Sequence, residues 1–234
     1  MEWSPLIAYC VGLITTDGCL SGDERHVEFS SKDVELVEYV RHGLGSSNRI
    51  CAKDRGDRTW RYFRIQISNV RVYQWLQSLG LTARKSLTLG PLNIPDEFFS
   101  DFLRGHLDGD GNITSYNDPV YPNSLRLYVR FCSASRPHLD WLETTISRLW
   151  SIHGYQTVDT RAFRLSYAKR ASIKLLKHIY ASPNAPYLLR KRRIAAPFIG
   201  IQAEVAELAD ARVSEARAAR RGGSTPPLRI ELPS

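Results

Sequence analysis

The chain of 234 residues lacks any apolar run long enough to cross a bilayer. Its opening, MEWSPLIAYCVGLI, lacks the basic start of a signal peptide. It is poor in cysteine, and Cys10, Cys19, Cys51 and Cys132 form no CxxC pair. That spacing argues against a zinc site and for free thiols in a reducing compartment. A membrane protein and a disulfide-stapled secreted domain are thereby set aside, and an intracellular protein is expected. With 43% hydrophobic and 24% charged residues, the composition is that of an ordinary globular chain, long enough for one or two domains with a sizeable core.

What the chain has in excess is positive charge. Its formal net charge is +8 and its pI about 9.5, which favours a polyanionic partner. The excess is uneven: twelve basic against ten acidic residues in 1–95, fifteen against nine in 96–200, and five against five in 201–234. That last stretch, IQAEVAELADARVSEARAARRGGSTPPLRIELPS, is rich in Ala and Arg and has no aromatic residue. Its RRGGSTPPL segment cannot continue a helix. It is expected to be an appended, poorly ordered tail.

One signature occurs twice. AYCVGLITTDGCL at 8–20 aligns without a gap on DFLRGHLDGDGNI at 101–113, matching Gly12 to Gly105, Leu13 to His106, Asp17 to Asp110 and Gly18 to Gly111. A glycine inside a helix costs about 1 kcal/mol against alanine. Its recurrence points to two helix backbones in close approach, which would bring Asp17 and Asp110 together at the helix ends. Gly111 is expected to serve the exit from its helix, where glycine accepts positive φ.

The stretch after each motif also repeats, as helix–strand–strand–helix–strand–strand–helix when the motif helix is counted. In RYFRIQIS, Phe63, Ile65 and Ile67 share one face, and Tyr62, Arg64 and Gln66 the other. In LRLYVRF, Leu125, Leu127, Val129 and Phe131 alternate with Arg126, Tyr128 and Arg130. A polar face of Arg, Tyr and Gln, rather than Lys, Glu and Thr, suits base edges and phosphates. The DNA-facing set read this way is Lys53, Arg55 and Arg58 in the turn KDRGDR, then Arg61, Tyr62, Arg64, Gln66, Arg126, Tyr128, Arg130, Arg161 and Arg164.

VGLITTDG and RGHLDGDG resemble the motifs of the LAGLIDADG homing endonucleases, in the monomeric form with two motifs in one chain. The linker LGLTARKSLTLGPLNIPDEFFSDFLRGHLDGDG resembles the bacterial and archaeal branch. The resemblance covers about residues 4–200. It implies an α+β fold of two αββαββα halves, 1–95 and 96–200, related by pseudo-twofold symmetry, with saddle-shaped antiparallel sheets over the DNA. It implies a prokaryotic cytoplasm or nucleoid, with an organelle as the alternative. The activity implied is a double-strand break in a long pseudo-palindromic DNA target, made by a monomer with an internal pseudo-dimer, as in intron homing by a mobile element. The last acid of each motif, Asp17 and Asp110, would be the catalytic metal ligand. Asp108 falls at the family's earlier acidic position, where the first copy has Thr15. Mg²⁺ takes hard oxygen ligands and needs only one or two carboxylates, so the backbone carbonyls of Thr16 and Gly109 would complete the set. The family's lysine near each centre corresponds to Lys85 in TARKS and Lys191 in YLLRKRRI, where Arg190, Arg192 and Arg193 crowd the choice. The same scaffold also serves RNA maturases that assist intron splicing, with intron RNA as partner, and a bacterial DNA-binding regulator.

The tail invites a test at the nucleotide level. AEVAELADA followed by GGSTPPL looks like a bacterial leucine tRNA gene read as protein. The nucleotide sequence across codons 202–230 is expected to fold as a cloverleaf; its absence would remove the read-through reading.

Overall fold

The computed structural model describes residues 1–54, 61–160 and 162–200. Helix α1, Pro5–Asp17, begins where Ser4 accepts a hydrogen bond from the Ile7 amide at 3.2 Å and Pro5 presets the first turn. After it come β1 Gly18–Leu20 and β2 His26–Ser31, then α2 Val34–Gly43, then β3 Cys51–Asp54 and β4 Arg61–Ser68 before α3 Val70–Ser78. The second pass runs α4 Phe99–Gly109, β5 Asn112–Asn117, β6 Leu125–Ser133, α5 Arg136–Trp150, β7 Tyr155–Val158, β8 Phe163–Tyr167 and α6 Lys169–Ile179. The two antiparallel sheets have the same strand order, β1-β2-β4-β3 and β5-β6-β8-β7. Both passes are therefore αββαββα, as the repeated signature implied.

The alternation in the strands decides which sheet face is covered. Val27, Phe29, Ile65 and Ile67 in the first sheet, and Leu127, Val129, Phe131 and Leu165 in the second, are buried. The intervening positions form the opposite faces, where Gln66 and Arg126 are exposed and Tyr62, Arg64, Tyr128 and Arg130 half-buried. Between the passes, Leu81, Leu89 and Leu92 are buried, so the connection is packed rather than looped out.

Two local features differ from the sequence expectations. The second pass adds a helix, α7, Leu189–Ile199, so Lys191 lies in a helix and not in a loop after α6. The glycines ending the motifs are not there for positive φ. Gly18 is extended (φ −84°, ψ 155°), and Gly111 is not among the positive-φ residues. They are there for space. A Cβ on Gly18 would lie 2.7 Å from the Ile14 Cα and carbonyl oxygen, and one on Gly111 2.8 Å from those of Leu107. The chain folds back across the last turn of its own helix too tightly for any side chain.

The mid-helix glycines make the seam between α1 and α4. A Cβ on Gly12 would lie 2.1 Å from the Phe102 carbonyl oxygen, and one on Gly105 2.0 Å from that of Tyr9. Here the obstacle is backbone, which cannot rotate away. Gly12→Ala and Gly105→Ala are each expected to lower unfolding stability by at least about 2 kcal/mol in urea denaturation. Gly22→Ala, where nothing lies within 4 Å, should stay within about 0.5 kcal/mol.

Candidate functional site

The seam carries α1 and α4 to a common end. A Cβ on Gly109 would lie 2.0 Å from Thr16 Oγ1 and 3.0 Å from Asp17 Oδ2, so the two motif termini touch. Asp17, Gly109 and Asp110 line one cavity together. Both aspartates reach solvent. Crowding by protein atoms and then the Asp110 charge raise the Asp17 pKa to about 6, against the pull of Lys191, the Thr16 hydroxyl and Lys85. Two carboxylates so placed repel each other until a cation lies between them.

Lys85 and Lys191 are buried, 7% and 5% exposed, and each donates to the carbonyl of its own motif's final glycine. Lys85 Nζ donates to the Gly18 oxygen. Lys191 Nζ lies 2.7 Å from that of Gly111 and also reaches Leu107 O at 2.5 Å, Asp108 O at 2.9 Å and Gly109 O at 3.3 Å. It thus caps the unpaired carbonyls at the negative end of α4. Burial pulls the Lys191 pKa down to about 8, against the opposing attraction of Asp108. Burial also lowers Lys85, resisted by Cys19, Asp17 and Asp110. Lys85 faces a second cavity, shared with Thr15, Thr16, Asp110, His106 and His138. The two cavities both border the motif termini and share Asp110.

Sequence reasoning assigned Asp108 to the helix end and read Arg104 and His106 only as irregularities of the helix seam. Asp108 is completely buried; its Oδ2 accepts from Tyr9 Oη at 2.8 Å and from the Leu188 amide at 2.7 Å. Burial raises its pKa to about 6, opposed first by Lys191. Arg104 donates to the Pro186 carbonyl at 2.7 Å, the Ile179 carbonyl at 2.6 Å and Asp101. Together Asp108 and Arg104 fasten the α6–α7 connection to α4. His106 and His138 meet Nε2 to Nε2 at 3.0 Å, while His138 Nδ1 lies 3.1 Å from the Gly90 carbonyl. A carbonyl only accepts, so Nδ1 of His138 donates and its Nε2 accepts from His106. Burial depresses both, His138 to about 4, and the pair is neutral at ordinary pH. The signal for these roles was present in the sequence: Arg104 and His106 stand inside an apolar motif, where a polar side chain must find a partner.

The expected nucleic-acid face is brought together in part. Tyr62, Arg64 and Gln66 lie on one sheet, Arg126, Tyr128, Arg130 and Arg164 on the other. Arg64 pairs with Glu28 at 2.5 Å, Arg126 with Asp118, and Arg164 with Asp159 at 2.7 Å. The Arg130 guanidinium sits 4.6 Å over the Tyr128 ring and 3.2 Å from Thr114 Oγ1. These carboxylate partners were not anticipated; each fixes the direction of its guanidinium. The backbones of Lys53 and Arg61 belong to β3 and β4. Arg55, Arg58 and Arg161, like the tail, lie outside the described residues.

Among the described residues, no three His, Cys, Asp or Glu side chains gather as a metal cage. The donors present fit a hard divalent ion held by two carboxylates and otherwise by water and substrate oxygens. The Gly109 carbonyl is shared with Lys191, which weakens it as a ligand beside Thr16. No helix among the described residues is long and apolar enough to cross a membrane.

A scan against protein-family models matched none, and a search of the curated proteins found no match. Solved structures do match in fold. The I-LtrWI LAGLIDADG homing endonuclease bound to target DNA gives a TM-score of 0.54 at 11% identity, covering 92% of this chain and 97% of that one. I-DmoI in complex with DNA and Ca gives 0.54 at 16% identity over 81% and 96%. Full-length DUF199/WhiA from Thermatoga maritima gives 0.53 at 15% identity over 94% and 70%. The chain therefore has the LAGLIDADG fold in its double-motif form.

If Asp17 holds a cation, its raised pKa makes that binding pH-dependent. Above pH 6 the carboxylate is already ionised; below it, a cation must displace a proton. Calorimetric titration with Mn²⁺ is expected to show affinity falling by up to about tenfold per pH unit below 6, with proton uptake by the buffer. Asp17→Asn should remove that pH dependence and most of the affinity.

Proposed function

We propose that this protein is a metal-dependent, site-specific DNA endonuclease that makes a double-strand break in a long pseudo-palindromic target. The observation that carries the reading is the meeting of Asp17 and Asp110 at the end of the glycine seam. Each motif also has a buried lysine on its terminal glycine carbonyl. A phosphodiester is cut when a water is aligned opposite the leaving oxygen and the growing negative charge is neutralised. Asp17 and Asp110 would hold a divalent ion such as Mg²⁺, which would supply that neutralisation and polarise the water. Lys85, fixed by the Gly18 carbonyl, and Lys191, held by several backbone oxygens, place positive charge beside the reacting phosphate without needing to reorganise. A Lys191 pKa of about 8 leaves it charged at neutral pH.

The duplex would lie across the outward faces of the two sheets, read by Tyr62, Arg64, Gln66, Arg126, Tyr128, Arg130 and Arg164. Preset Arg–carboxylate pairs there favour directed contacts to base edges over loose phosphate attraction. The like strand order of the two sheets supports a target with approximate twofold symmetry, bound by one chain. Retention of both motif acids supports cleavage over a DNA-binding role alone.

Purified protein with Mg²⁺ is expected to cut its own locus lacking the mobile element, recovered by selection from a genomic DNA library. Asp110→Asn should abolish cutting and leave DNA binding within a few-fold of the parent. If Asp17→Asn and Asp110→Asn cut as well as the parent, the site is assigned wrongly. Binding without any cutting by the parent would move the protein to the regulator reading.

A further inference from the structure

The Asp17 cavity is lined from both halves: Ser31, Lys32, Asp33 and Tyr62 from the first, Asp110 and Arg190 from the second. Arg190, on α7, reaches across it to Asp33, which stands immediately before α2. Both guanidinium contacts fall on one carboxylate oxygen, Nε at 3.3 Å and Nη2 at 3.0 Å from Oδ2. Arg148 and Asp96 show the contrast: two nitrogens on two oxygens, each at 2.6 Å. The Arg190 pair is thus a single-oxygen contact, longer than a charge-assisted bond prefers. Arg190 is 60% exposed, and pairs of that kind contribute little to stability.

Asp33 also has another place to go. It occupies the N-cap of α2 in extended conformation, yet its side chain makes no cap hydrogen bond. Aspartate is among the preferred residues at that position, accepting from the free amides of the first turn and complementing the positive helix end. Released from Arg190, the carboxylate would turn to the amides of its own helix start, of which that of Leu36 already donates to the Asp33 carbonyl at 3.1 Å. A phosphodiester, with two free oxygens, offers the guanidinium the two-pronged partner that Asp33 does not.

We propose that Arg190 is a phosphate-binding residue of the Asp17 cavity, held in reserve by Asp33, and that DNA entry exchanges the partners: Arg190 grips the backbone phosphate while Asp33 caps α2. This rests on the DNA-binding reading above and adds to it a specific ligand group and an exchange. It also gives α7 a second role besides carrying Lys191, since the same helix delivers a phosphate-binding side chain to the shared cavity.

The test is a double-mutant cycle on binding of mixed-sequence duplex DNA without metal, followed over a range of salt. Arg190→Ala is expected to weaken binding and flatten the dependence of log K on log salt by about 0.9, the value of one phosphate contact. Asp33→Asn keeps a capping side chain but removes the competing charge, and it should tighten binding. In the Arg190→Ala background that gain should vanish, because Asp33 acts through Arg190. A salt slope unchanged by Arg190→Ala overturns the proposal. So does a gain from Asp33→Asn that persists without Arg190, which would mark general charge repulsion. Weaker binding and a lower melting temperature in both single variants would make the pair a structural latch, again overturning it. Failure of the parent to bind duplex DNA at all would overturn the functional reading itself.

Discussion

The contact on which the rest depends is backbone against backbone, where Gly12 of α1 meets the Phe102 carbonyl and Gly105 of α4 meets that of Tyr9. Two helices this close end at the same level, and the acidic residue closing each motif is thereby delivered to its counterpart. No other element needs to hold Asp17 beside Asp110. Burial first and the Asp110 charge second raise the Asp17 pKa, so the packing device also sets two carboxylates against each other at its end. The same closeness forces both strands leaving the motifs to fold sharply over their helix ends, so Gly18 and Gly111 follow from the same constraint.

The two halves share a topology but not an electrostatic character. In the first motif helix Val11, Leu13 and Thr15 stand where the second has Arg104, His106 and Asp108. Each of these polar residues is buried and tied to a different element: the α6–α7 connection, α5, and the start of α7. Unpaired, any of them would be destabilising; paired, they fasten elements that apolar packing alone would leave free to slide. The first half has nothing corresponding to α7 among the described residues, and its lysine comes instead from the packed linker. Chemical equivalence at the two glycine carbonyls is reached by unlike routes.

Much of the fold was legible. The repeat at a spacing of 93 residues, the paired glycines and the period-two strands sufficed for two αββαββα passes and for the seam. These signals are local or depend on matching one stretch with another. The α7 helix was not legible: LLRKRRIAAPFI shows basic crowding and an internal proline, and only the anchors at Asp108 and Arg104 make its position intelligible. The ion pairs of the sheet faces were likewise hidden. Glu28, Asp118 and Asp159 are unremarkable in sequence and become partners of Arg64, Arg126 and Arg164 only through strand pairing and loop shape.

By itself, then, the sequence determined the periodicities, the two close-approach points and the pair of acids, because each is a property of residue type at fixed spacing along one chain. Tertiary structure decided everything that depends on proximity between distant segments. It placed Lys191 on four carbonyls of the α4 end and drew down its pKa. It buried Asp108 as a strut and left Asp17 at the surface, although both are aspartates of matching motifs. It also set Arg190 across the cavity from Asp33, 157 residues away in sequence. Charge and burial are fixed by what surrounds a side chain, and that environment is assembled only when the chain closes on itself.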